Sequence, residues 1–430
     1  MSFQQGLSGL NATSKSLDVI GNNIANANTF GAKAARAEFA DVYTASLSGT
    51  TATSIGTGVN LAAVSQQFTQ GSITTTANSM DLAISGSGFF QMTDGQNPAV
   101  YSRNGQFKID KDGFIINNQQ MKLIGYQADG QGVIQPGQAK PLQLPTAGIA
   151  PRATEGIKME LNLDSRAAAT EQPAGLPAIV FSDPKTYNNS TSVTVFDAKG
   201  QDVALTYYFQ KSASPRDDHW NVYVTANGEP ISGTPGAPQP SLEIQFAPNG
   251  GSPDFTPAAV PPASLPVVDI PASTNVNGAP TLPITGVALG FTGVTQYGAK
   301  FSVTDITQDG YAPGQLSGIS IEGNGIVLAR YSNGQSKPGG QIELANFRNP
   351  QGLNPQGGNT WTRSVTSGDP VLGIPGDGGL GALRAGALEE SNVDLTGELV
   401  SMITAQRIYQ ANAQTIKTQD QVLQTLVNLK

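Results

Sequence analysis

The apolar positions at the start of the chain are separated alternately by four and three residues. Large apolar side chains occupy most of these positions, namely Phe3, Leu7, Leu10, Leu17 and Ile24. This spacing is typical of the seam of a helix that packs along another helix. Gly6, Gly9 and Gly21 weaken the helix, because each glycine costs about 1 kcal/mol relative to alanine. The helix therefore needs a partner to be stable.

A second seam with the same alternation lies at the other end of the chain, over residues 392–430. Its apolar members, with Ile403 widening the stripe, are Leu395, Leu399, Met402, Ile403, Tyr409, Ile416, Leu423 and Val427. The two seams predict that the ends of the chain pair as a coiled coil. Glutamine and asparagine dominate the polar face of the second helix, whereas a solvated face usually carries Glu and Lys pairs. Neutral amides favour a further contact with protein; the alternative is an amide-rich solvated surface.

The long middle of the chain has the pattern of antiparallel β structure. Asn-Gly and Asp-Gly pairs with β-type flanks recur along it, for example Asn104-Gly105, Asp112-Gly113, Asn227-Gly228, Asn324-Gly325 and Asn333-Gly334. Such pairs favour type I′ hairpin turns, in which both central residues have positive φ. Residues 230–283 hold 13 of the 28 prolines, which are excluded from central strands. This segment is interpreted as loop-rich and exposed, with a disordered linker as the alternative.

The first seam runs directly into the stretch NNIANANTFGAKAAR, residues 22–36. Asparagine tolerates left-handed backbone and hydrogen-bonds to its own main chain, so such a cluster ends helices and forms specific turns. We therefore expect the chain to be redirected here, from the first helix into the segment that leads to the β domains.

Composition argues against several classes of function. The net charge of −8 disfavours electrostatic binding of nucleic acid. The sequence has no run of 18 apolar residues, so no membrane-spanning helix is predicted. The chain has no cysteine, which excludes disulfides and thiolate metal sites. The N-terminal residues lack the basic and apolar regions of a cleavable signal peptide.

No catalytic, cofactor-binding or metal-binding residue is expected. His219 stands beside Asp217 and Asp218, but adjacent residues of a strand point to opposite faces, and a surface loop explains the run better. The DKDG run at 110–113 lacks the calcium-loop pattern and indicates a hairpin turn. The GSG run at 86–88 precedes a predicted strand rather than a helix, so it is no dinucleotide site. The chain is predicted not to be an enzyme and to need no cofactor.

Five stretches together resemble one known family. SGLNATSKSLDVIGNNIANANTFGAK is similar to the N-terminal signature of the flagellar rod–hook family of axial proteins, and GALEESNVDLTGELVSMITAQRIYQANAQTIKTQDQVLQTLVNLK is similar to its C-terminal partner. DLAISGSGFF with YSRNGQFKIDKDGFIIN resembles its first β domain, and NFRNPQGLNPQGGNTW its last β segment. The motif of the family turn falls here on Asn26, Asn28, Thr29, Gly31 and Lys33.

The resemblance implies a fold that is mainly β with α-helical termini and nested antiparallel β domains. A helical core domain would comprise residues 1–28 with 392–430, and a connecting segment 29–71 with 386–391. An inner β domain would comprise 72–147 with 293–385, and a Pro-rich outer β domain 148–292. In the tube that the resemblance implies, the terminal helices form the inner core.

The resemblance also implies function and partners. The chain would be a structural subunit of the bacterial flagellar hook, self-assembling into a curved tubular universal joint that transmits torque from rod to filament. Implied partners are other copies in a helical homopolymer, the distal rod protein, the hook cap protein, the hook–filament junction protein and the flagellar type III export apparatus. The implied location is extracellular, at the flagellar basal body and hook, after export without a cleavable signal. The alternatives are a distal-rod or junction protein or, in another class, a secreted β-rich adhesin or carbohydrate-binding protein.

Overall fold

The described chain is mainly β, with one α-helix at each end, and this confirms the predicted fold class. The computed structural model describes residues 2–42, 56, 58–173, 175–213, 218–247, 249–250, 253–256, 265–291 and 293–428. The chain divides into two compact units. Unit 1 consists of Met1–Thr146, Gly318–Arg330 and Ser336–Lys430, and unit 2 consists of Ala147–Ser317 and Tyr331–Gln335.

The helices and strands follow one another in three groups. The first group is α1 (Ser2–Ala25), β1 (Ala35–Val42), β2 (Gly58–Gln66), β3 (Ile73–Thr75), β4 (Leu82–Ser85), β5 (Phe89–Thr93), β6 (Val100–Ser102), β7 (Lys108–Ile109), β8 (Ile115–Ile116), β9 (Lys122–Gln127) and β10 (Lys140–Pro141). The second group is β11 (Gly156–Asn162), β12 (Asn189–Phe196), β13 (Asp202–Lys211), β14 (His219–Ala226), β15 (Glu229–Pro230), β16 (Gly233–Thr234), β17 (Ala237–Pro238), β18 (Leu242–Gln245), β19 (Asp254–Thr256), β20 (Val267–Ile270), β21 (Ile284–Gly290) and β22 (Ser302–Gln308). The third group is β23 (Leu316–Ile321), β24 (Ile326–Tyr331), β25 (Ser336–Ile342), β26 (Leu344–Asn346), a 3₁₀ turn (Pro350–Gly352), β27 (Asn354–Gly357), β28 (Thr360–Thr362), β29 (Val371–Gly373), β30 (Ala382–Ala385), β31 (Ala387–Glu389) and α2 (Leu395–Asn428).

Unit 1 joins strands from the outgoing and the returning parts of the chain. Its main sheet has the order β23-β24-β25-β9-β5-β6-β28-β27, and its short antiparallel pairs are β3–β31 and β4–β30. Strands that precede residue 147 therefore hydrogen-bond to strands that follow residue 317. One hydrophobic core combines aliphatic side chains with the ring of Phe107, and a second cluster contains the rings of Phe89, Tyr101, Phe347 and Trp361. The unit can form only after the whole intervening segment has been made.

Unit 2 contains two main sheets that share one core. The first sheet has the order β20-β21-β11-β22, and the second has the order β12-β13-β14-β18-β19. Strand β13 alternates as the pattern of a half-buried strand requires, with Val203, Leu205, Tyr207 and Phe209 fully buried. Both sheets contribute side chains to the same cluster, so unit 2 has its own hydrophobic core.

The division of the chain differs from the predicted domain boundaries chiefly in two segments, residues 293–317 and the short segment 331–335, both of which lie in unit 2. Residues 293–317 were assigned from the sequence to the inner β domain, but they lie in unit 2. The reason is that β22 pairs antiparallel with β11 along Ile157–Asn162. Strand pairing between segments about 140 residues apart has no local signature in the sequence.

The Asn-Gly and Asp-Gly hairpins form, but mostly with a different turn than expected. Strands pair across Asp112-Gly113, Asn227-Gly228, Asn324-Gly325 and Asn333-Gly334. Only at Asn227-Gly228 do both residues have positive φ, 51° and 92°. At the other three, glycine alone is left-handed, as in a type I turn that is closed by a glycine bulge. In the β7–β8 hairpin, Asp110 Oδ1 stabilises the turn by accepting a 2.7 Å hydrogen bond from Phe114 N.

Two local predictions are wrong. Asn104-Gly105 joins no pair of strands; Gly105 instead lies against β4, where its carbonyl accepts a hydrogen bond from Leu82 N at 3.0 Å. A Cβ at Gly105 would lie 1.7 Å from Leu82 O, so close approach is what requires glycine here. His219 is not in a surface loop but buried at the start of β14, opposite Gln245. Asp217 lies outside the described residues.

Unit 1 buries one carboxyl group with a tyrosine. The hydroxyl of Tyr126 donates to Glu343 Oε1 at 2.7 Å, and Glu343 is 2% exposed. Glu343 Oε2 has no hydrogen-bond partner among the described residues. Burial raises the pKa of Glu343 above its ordinary value of 4.5, although the hydrogen bond from Tyr126 opposes this shift. The folded chain thus holds the proton of Glu343 more tightly than the unfolded chain does.

The stability of unit 1 should therefore decrease as pH rises above about 4.5, the ordinary pKa of glutamate. The folded state binds more protons than the unfolded state over this range, so the free energy of unfolding falls until pH exceeds the raised pKa. Glu343→Gln keeps the acceptor for Tyr126 but cannot ionise, so its advantage over the wild type should grow with pH. Urea unfolding, followed by Trp361 fluorescence with Trp220 replaced by Phe, measures this. A difference between Glu343→Gln and wild type that is the same from about pH 4 to pH 8 would contradict the prediction; the exposed Glu322→Gln is the control.

Candidate assembly interface and joint

The two terminal helices pack against each other in opposite directions. Near one end of the pair, Gly6 of α1 faces Ile416 of α2. Near the other end, Asn23 Nδ2 donates to Glu398 Oε1 at 2.9 Å. The ends of the chain are thus paired, as the two seams predicted.

Two glycines bring the helices into close contact. A Cβ on Gly6 would lie 3.0 Å from Ile416 Cγ1, and a Cβ on Gly9 would lie 2.9 Å from Asn412 Nδ2. Gly21, in contrast, has no atom within 4 Å of its Cβ position. Glycine at position 6 therefore allows the close approach of Ile416, whereas the atoms nearest to Gly9 belong to the flexible amide end of Asn412, which can move aside.

The seam that is buried within the chain is offset from the predicted one. In α1 the buried positions are Gly6, Thr13, Ile20 and Asn23. In α2 the buried or half-buried positions continue the alternation of four and three at Glu398, Met402, Ala405, Asn412, Ile416 and Gln419. Small and polar side chains therefore make up much of the contact between the two helices.

Most of the large apolar residues of the predicted seam lie beside this contact, whereas Met402 and Ile416 belong to it. Leu10, Leu17, Ile24, Met402 and Ile416 are half-buried. Phe3 and Leu7 are 45% and 44% exposed. The other exposed members are Leu395, Leu399, Ile403, Tyr409 and Leu423, and the side chain of Val427 lies outside the described residues. The folded chain thus leaves apolar helix surface available for another protein.

The turn after α1 is made by side-chain hydrogen bonds and one left-handed glycine. Asn26 Nδ2 donates to Asn22 O at 3.0 Å, and Thr29 Oγ1 donates to Asn26 Oδ1 at 3.4 Å. No asparagine of the turn has positive φ; Gly31 does, at 70°. A Cβ on Gly31 would lie 2.4 Å from Asn104 N, so the turn lies directly on the backbone that follows β6.

Two further asparagines connect the segment that follows the turn to α1 and to the residues that precede α2. Asn23 accepts a hydrogen bond from Ala35 N and donates one to Ala35 O, at 2.9 and 2.7 Å. Asn392 accepts from Ala34 N at 2.8 Å and donates to Gln67 O at 2.8 Å. The start of β1 is therefore fixed both to the end of α1 and to the residues that precede α2.

A buried ion cluster lies beneath the turn. Lys33 Nζ is 2.5 Å from Glu389 Oε1, and Arg103 donates to Glu389 Oε2 at 3.1 Å. The side chains of Lys33 and Glu389 have no exposed surface. Gly71 N donates to Glu389 Oε1 at 3.0 Å, and Gly31 N donates to the main-chain oxygen of Glu389 at 2.8 Å. Glu389, which precedes α2, thus contacts the turn, the connecting segment and the backbone region after β6. We call Lys33, Arg103 and Glu389 the joint cluster.

The two cations of the joint cluster are also held by groups other than Glu389. Lys33 Nζ donates to Thr69 O at 2.8 Å, and Arg103 donates to Gly86 O at 2.8 Å. The Arg103 guanidinium lies 5.3 Å from the centre of the Phe89 ring. Burial lowers the pKa of Lys33 and of Arg103 from their ordinary values, and the charge of Glu389 opposes both shifts. The carboxylate is therefore what keeps two buried cations stable.

The described residues contain no cluster of three or more His, Asp or Glu side chains that is arranged to hold a metal ion. Neither of the two described helices is long and apolar enough to cross a membrane.

Comparison with known proteins identifies the family. Residues 3–33 match the flagella basal body rod protein family, 83–158 the flagellar hook protein FlgE/F/G D1 domain, 162–311 the flagellar basal body protein FlaE D2 domain and 384–429 the flagellar basal body rod FlgEFG protein C-terminal family. The flagellar hook protein FlgE of Salmonella typhimurium is 40% identical over 437 residues, with all of both chains covered. The chain belongs to the flagellar hook protein family.

Other relatives agree with this assignment to the hook family. Flagellar hook protein FlgE of Escherichia coli is 40% identical over 433 residues, again with all of both chains covered. The crystal structure of Helicobacter pylori flagellar hook protein FlgE2 has a TM-score of 0.50 and 14% identity, and covers 74% of this chain and 100% of its own. That likeness supports the shared fold. Members of the family are structural, self-polymerising axial proteins of the flagellum, and this confirms that the chain is not an enzyme.

The residues of the family turn are brought together, but they do not act alone. Asn26, Thr29, Gly31 and Lys33 each make a contact that shapes the turn or the joint, whereas Asn28 is exposed. Sequence reasoning missed Glu389, Arg103 and Asn392. The quoted family motifs contain all three residues: Arg103 lies in YSRNGQFKIDKDGFIIN, and Glu389 and Asn392 lie just before the second helix. Only the fold shows that they meet Lys33.

Gly6→Leu should prevent normal pairing of the terminal helices in this hook-family chain, because the new side chain would overlap Ile416. Gly21→Ala is the matched control in the same helix. It meets nothing within 4 Å and should stabilise α1 by up to about 1 kcal/mol through helix propensity. Hook formation and swimming of cells that carry each variant measure the effect. Normal hooks with Gly6→Leu would show that close approach at this position is not needed.

Glu389→Gln should reduce the free energy of unfolding of unit 1 by about 3–5 kcal/mol, because it leaves two buried cations without an anion. The control is Asp369→Asn, which breaks an exposed ion pair with Arg363 and should cost less than about 1 kcal/mol. Urea unfolding followed by Trp361 fluorescence, with Trp220 replaced by Phe, distinguishes the two. Equal losses in the two variants would contradict the role given to the joint cluster.

Proposed function

We propose that the chain is the subunit of a curved, tubular flagellar hook that works as a universal joint and transmits torque from rod to filament. The observation that carries this proposal is the apolar surface left on both terminal helices in a chain of a self-polymerising family. Exposed apolar faces of this kind mark protein contacts. The described residues offer no other partner for them, so other copies of the chain are the fitting occupants.

The terminal helices are proposed to form the core of the tube. Their contact is tight, and the joint cluster fixes the chain as it leaves α1. A rigid connection here supports transmission of torque, since a rotation of the helices is carried directly into the β strands of unit 1. The assignment of the Pro-rich middle of the chain to the outer layer of the tube remains a prediction.

Bending requires that neighbouring copies slide past each other as the hook rotates. Charged residues make up only 13% of the chain, and Gly, Asn, Ser and Gln are abundant. Surfaces of this composition have few fixed ion pairs that would hold copies in a single register. The composition thus supports the proposal of a flexible joint rather than a straight rod.

The remaining partners are also proposals. A helical homopolymer with heterologous contacts has two different ends, so one end would bind the distal rod protein, and the other the cap protein during growth and the junction protein afterwards. Export is proposed to use the flagellar type III apparatus, and membership of the flagellar hook family supports this. The distal-rod, junction and adhesin alternatives are not favoured, because the relatives that match over the whole chain are named hook proteins.

Electron microscopy of polymers of the purified chain tests the proposal. Curved hollow tubes are expected, and the same chain should restore curved hooks in cells that lack their own hook protein. Straight or capped assemblies would favour a rod or junction role. Binding of glycans by residues 148–292, without any polymer of the full chain, would favour the adhesin.

A further inference from the structure

A small hairpin of unit 2, residues 273–281, carries an Asn-Gly pair at its tip. The hairpin is closed below the tip by a hydrogen bond from Asn275 N to Ala279 O at 2.9 Å. Asn277 and Gly278, which form the pair, are both exposed to solvent. Water therefore reaches this pair, whereas the backbone beneath it is held in place.

The side-chain amide of Asn277 makes no hydrogen bond with any residue that the structure describes. The main-chain N–H of Asn277 donates to Asn275 Oδ1 at 3.1 Å, and Gly278 N donates to Asn275 O at 2.9 Å. The backbone of the pair is thus ordered, but the amide of Asn277 can rotate about its side-chain bonds.

The amides of other Asn-Gly pairs are hydrogen-bonded. Asn333 Nδ2 donates to Ala312 O at 2.6 Å, and Asn333 Oδ1 accepts from Gln335 N at 3.1 Å. Asn324 Oδ1 accepts from Ile326 N at 3.1 Å. Hydrogen bonds also hold the amides of two further pairs, at Asn104 and Asn227.

The backbone is nearly the same in three of these turns. Gly278, Gly325 and Gly334 have φ values of 79°, 84° and 80°. The main-chain N–H of each glycine donates to a carbonyl of its own turn, at 2.9–3.0 Å. The pairs that begin at residues 277, 324 and 333 therefore differ in the freedom of the amide and not in the conformation of the glycine.

An asparagine that precedes glycine can lose its amide group by reaction with the next main-chain nitrogen. That nitrogen attacks the side-chain carbon Cγ and forms a C–N bond, the bond from Cγ to Nδ2 breaks, and ammonia leaves with the proton of the main-chain nitrogen. Water then opens the cyclic imide at either carbonyl and leaves aspartate or isoaspartate. Glycine favours the attack because it has no Cβ beside the attacking nitrogen. The amide must also be able to turn toward that nitrogen, since the reacting atoms have to be close and aligned.

We propose that Asn277 is a site of spontaneous deamidation in the folded chain, and that Asn324 and Asn333 are protected by their hydrogen bonds. The reaction needs only water, and it replaces a neutral amide by a carboxyl group that is ionised at neutral pH. Unit 2 contains 15 acidic and 8 basic residues, so the new carboxylate adds to a net charge of the same sign. The folded chain thus gains negative charge at this hairpin with time.

The test incubates the folded, full-length chain in mildly alkaline buffer and follows each Asn-Gly pair by peptide mass spectrometry. Asn277 should deamidate faster than Asn333 by about tenfold or more, because the amide of Asn333 must first break two hydrogen bonds. The same samples should gain an acidic band on isoelectric focusing, at the position of the Asn277→Asp variant. Asn277→Gln should not gain this band, because glutamine does not readily form the cyclic imide.

Incubation in concentrated urea is the control, because unfolding removes the hydrogen bonds of Asn324 and Asn333. The pairs at Asn277, Asn324 and Asn333 should then react at similar rates. A rate at Asn277 that is no faster than at Asn333 in the folded chain would overturn the proposal. An equally large difference in urea would also overturn it, because the local sequence and not the fold would then set the rates. Neither result depends on polymer formation, so the proposed function would be unaffected.

Discussion

The burial of the Glu389 carboxylate is the constraint on which the joint depends. It accepts hydrogen bonds from Lys33, Gly71 and Arg103, which come from three separate parts of the chain. A carboxylate with no exposed surface is stable only when its charge is compensated and its oxygens are hydrogen-bonded. The two buried cations in turn depend on this carboxylate for charge compensation. The cluster therefore forms only when the turn, the connecting segment and the returning strand are all in place.

The helical pair that the joint supports is unusual in what it buries. Within one chain the contact uses glycine, threonine, alanine and amide side chains, whereas phenylalanine and several leucines remain exposed. At Gly6 and Gly9 the backbone of α1 comes into van der Waals contact with the side chains of Ile416 and Asn412 of α2. A helix pair with this arrangement is incomplete as a soluble unit. Its larger apolar residues are available for contacts between copies, in keeping with a self-polymerising family.

The two units place different demands on the order of folding. Unit 2 has its own core and pairs strands within one continuous stretch of chain, apart from the short segment 331–335. Unit 1 pairs β3 with β31 and β4 with β30, which are about 300 residues apart in sequence. Such distant pairing carries a loop-closure cost, and the early folding of unit 2 would bring the outgoing and returning segments of unit 1 nearer to each other.

The sequence alone determined the elements with a strong period or a strong turn signal. The alternation of four and three placed both helices, and the Asn-Gly and Asp-Gly pairs located four of the five named hairpins. These features depend on neighbouring residues, so a local pattern is enough. The hairpin prediction at Asn104-Gly105 was wrong because glycine is required there by close contact with the carbonyl of Leu82, which is distant in sequence, and not by a turn.

Only the tertiary structure decided which residues meet across long separations. It showed that Glu389 lies between Lys33 and Arg103, that residues 293–317 pair with β11, and that His219 is buried in a strand. It also showed that the buried helix seam is offset from the stripe of large apolar residues. The physical reason is common to all four. Charge compensation, strand register and close helix contact depend on which residues lie opposite each other. The pattern of residues along the chain does not show which distant residues these are.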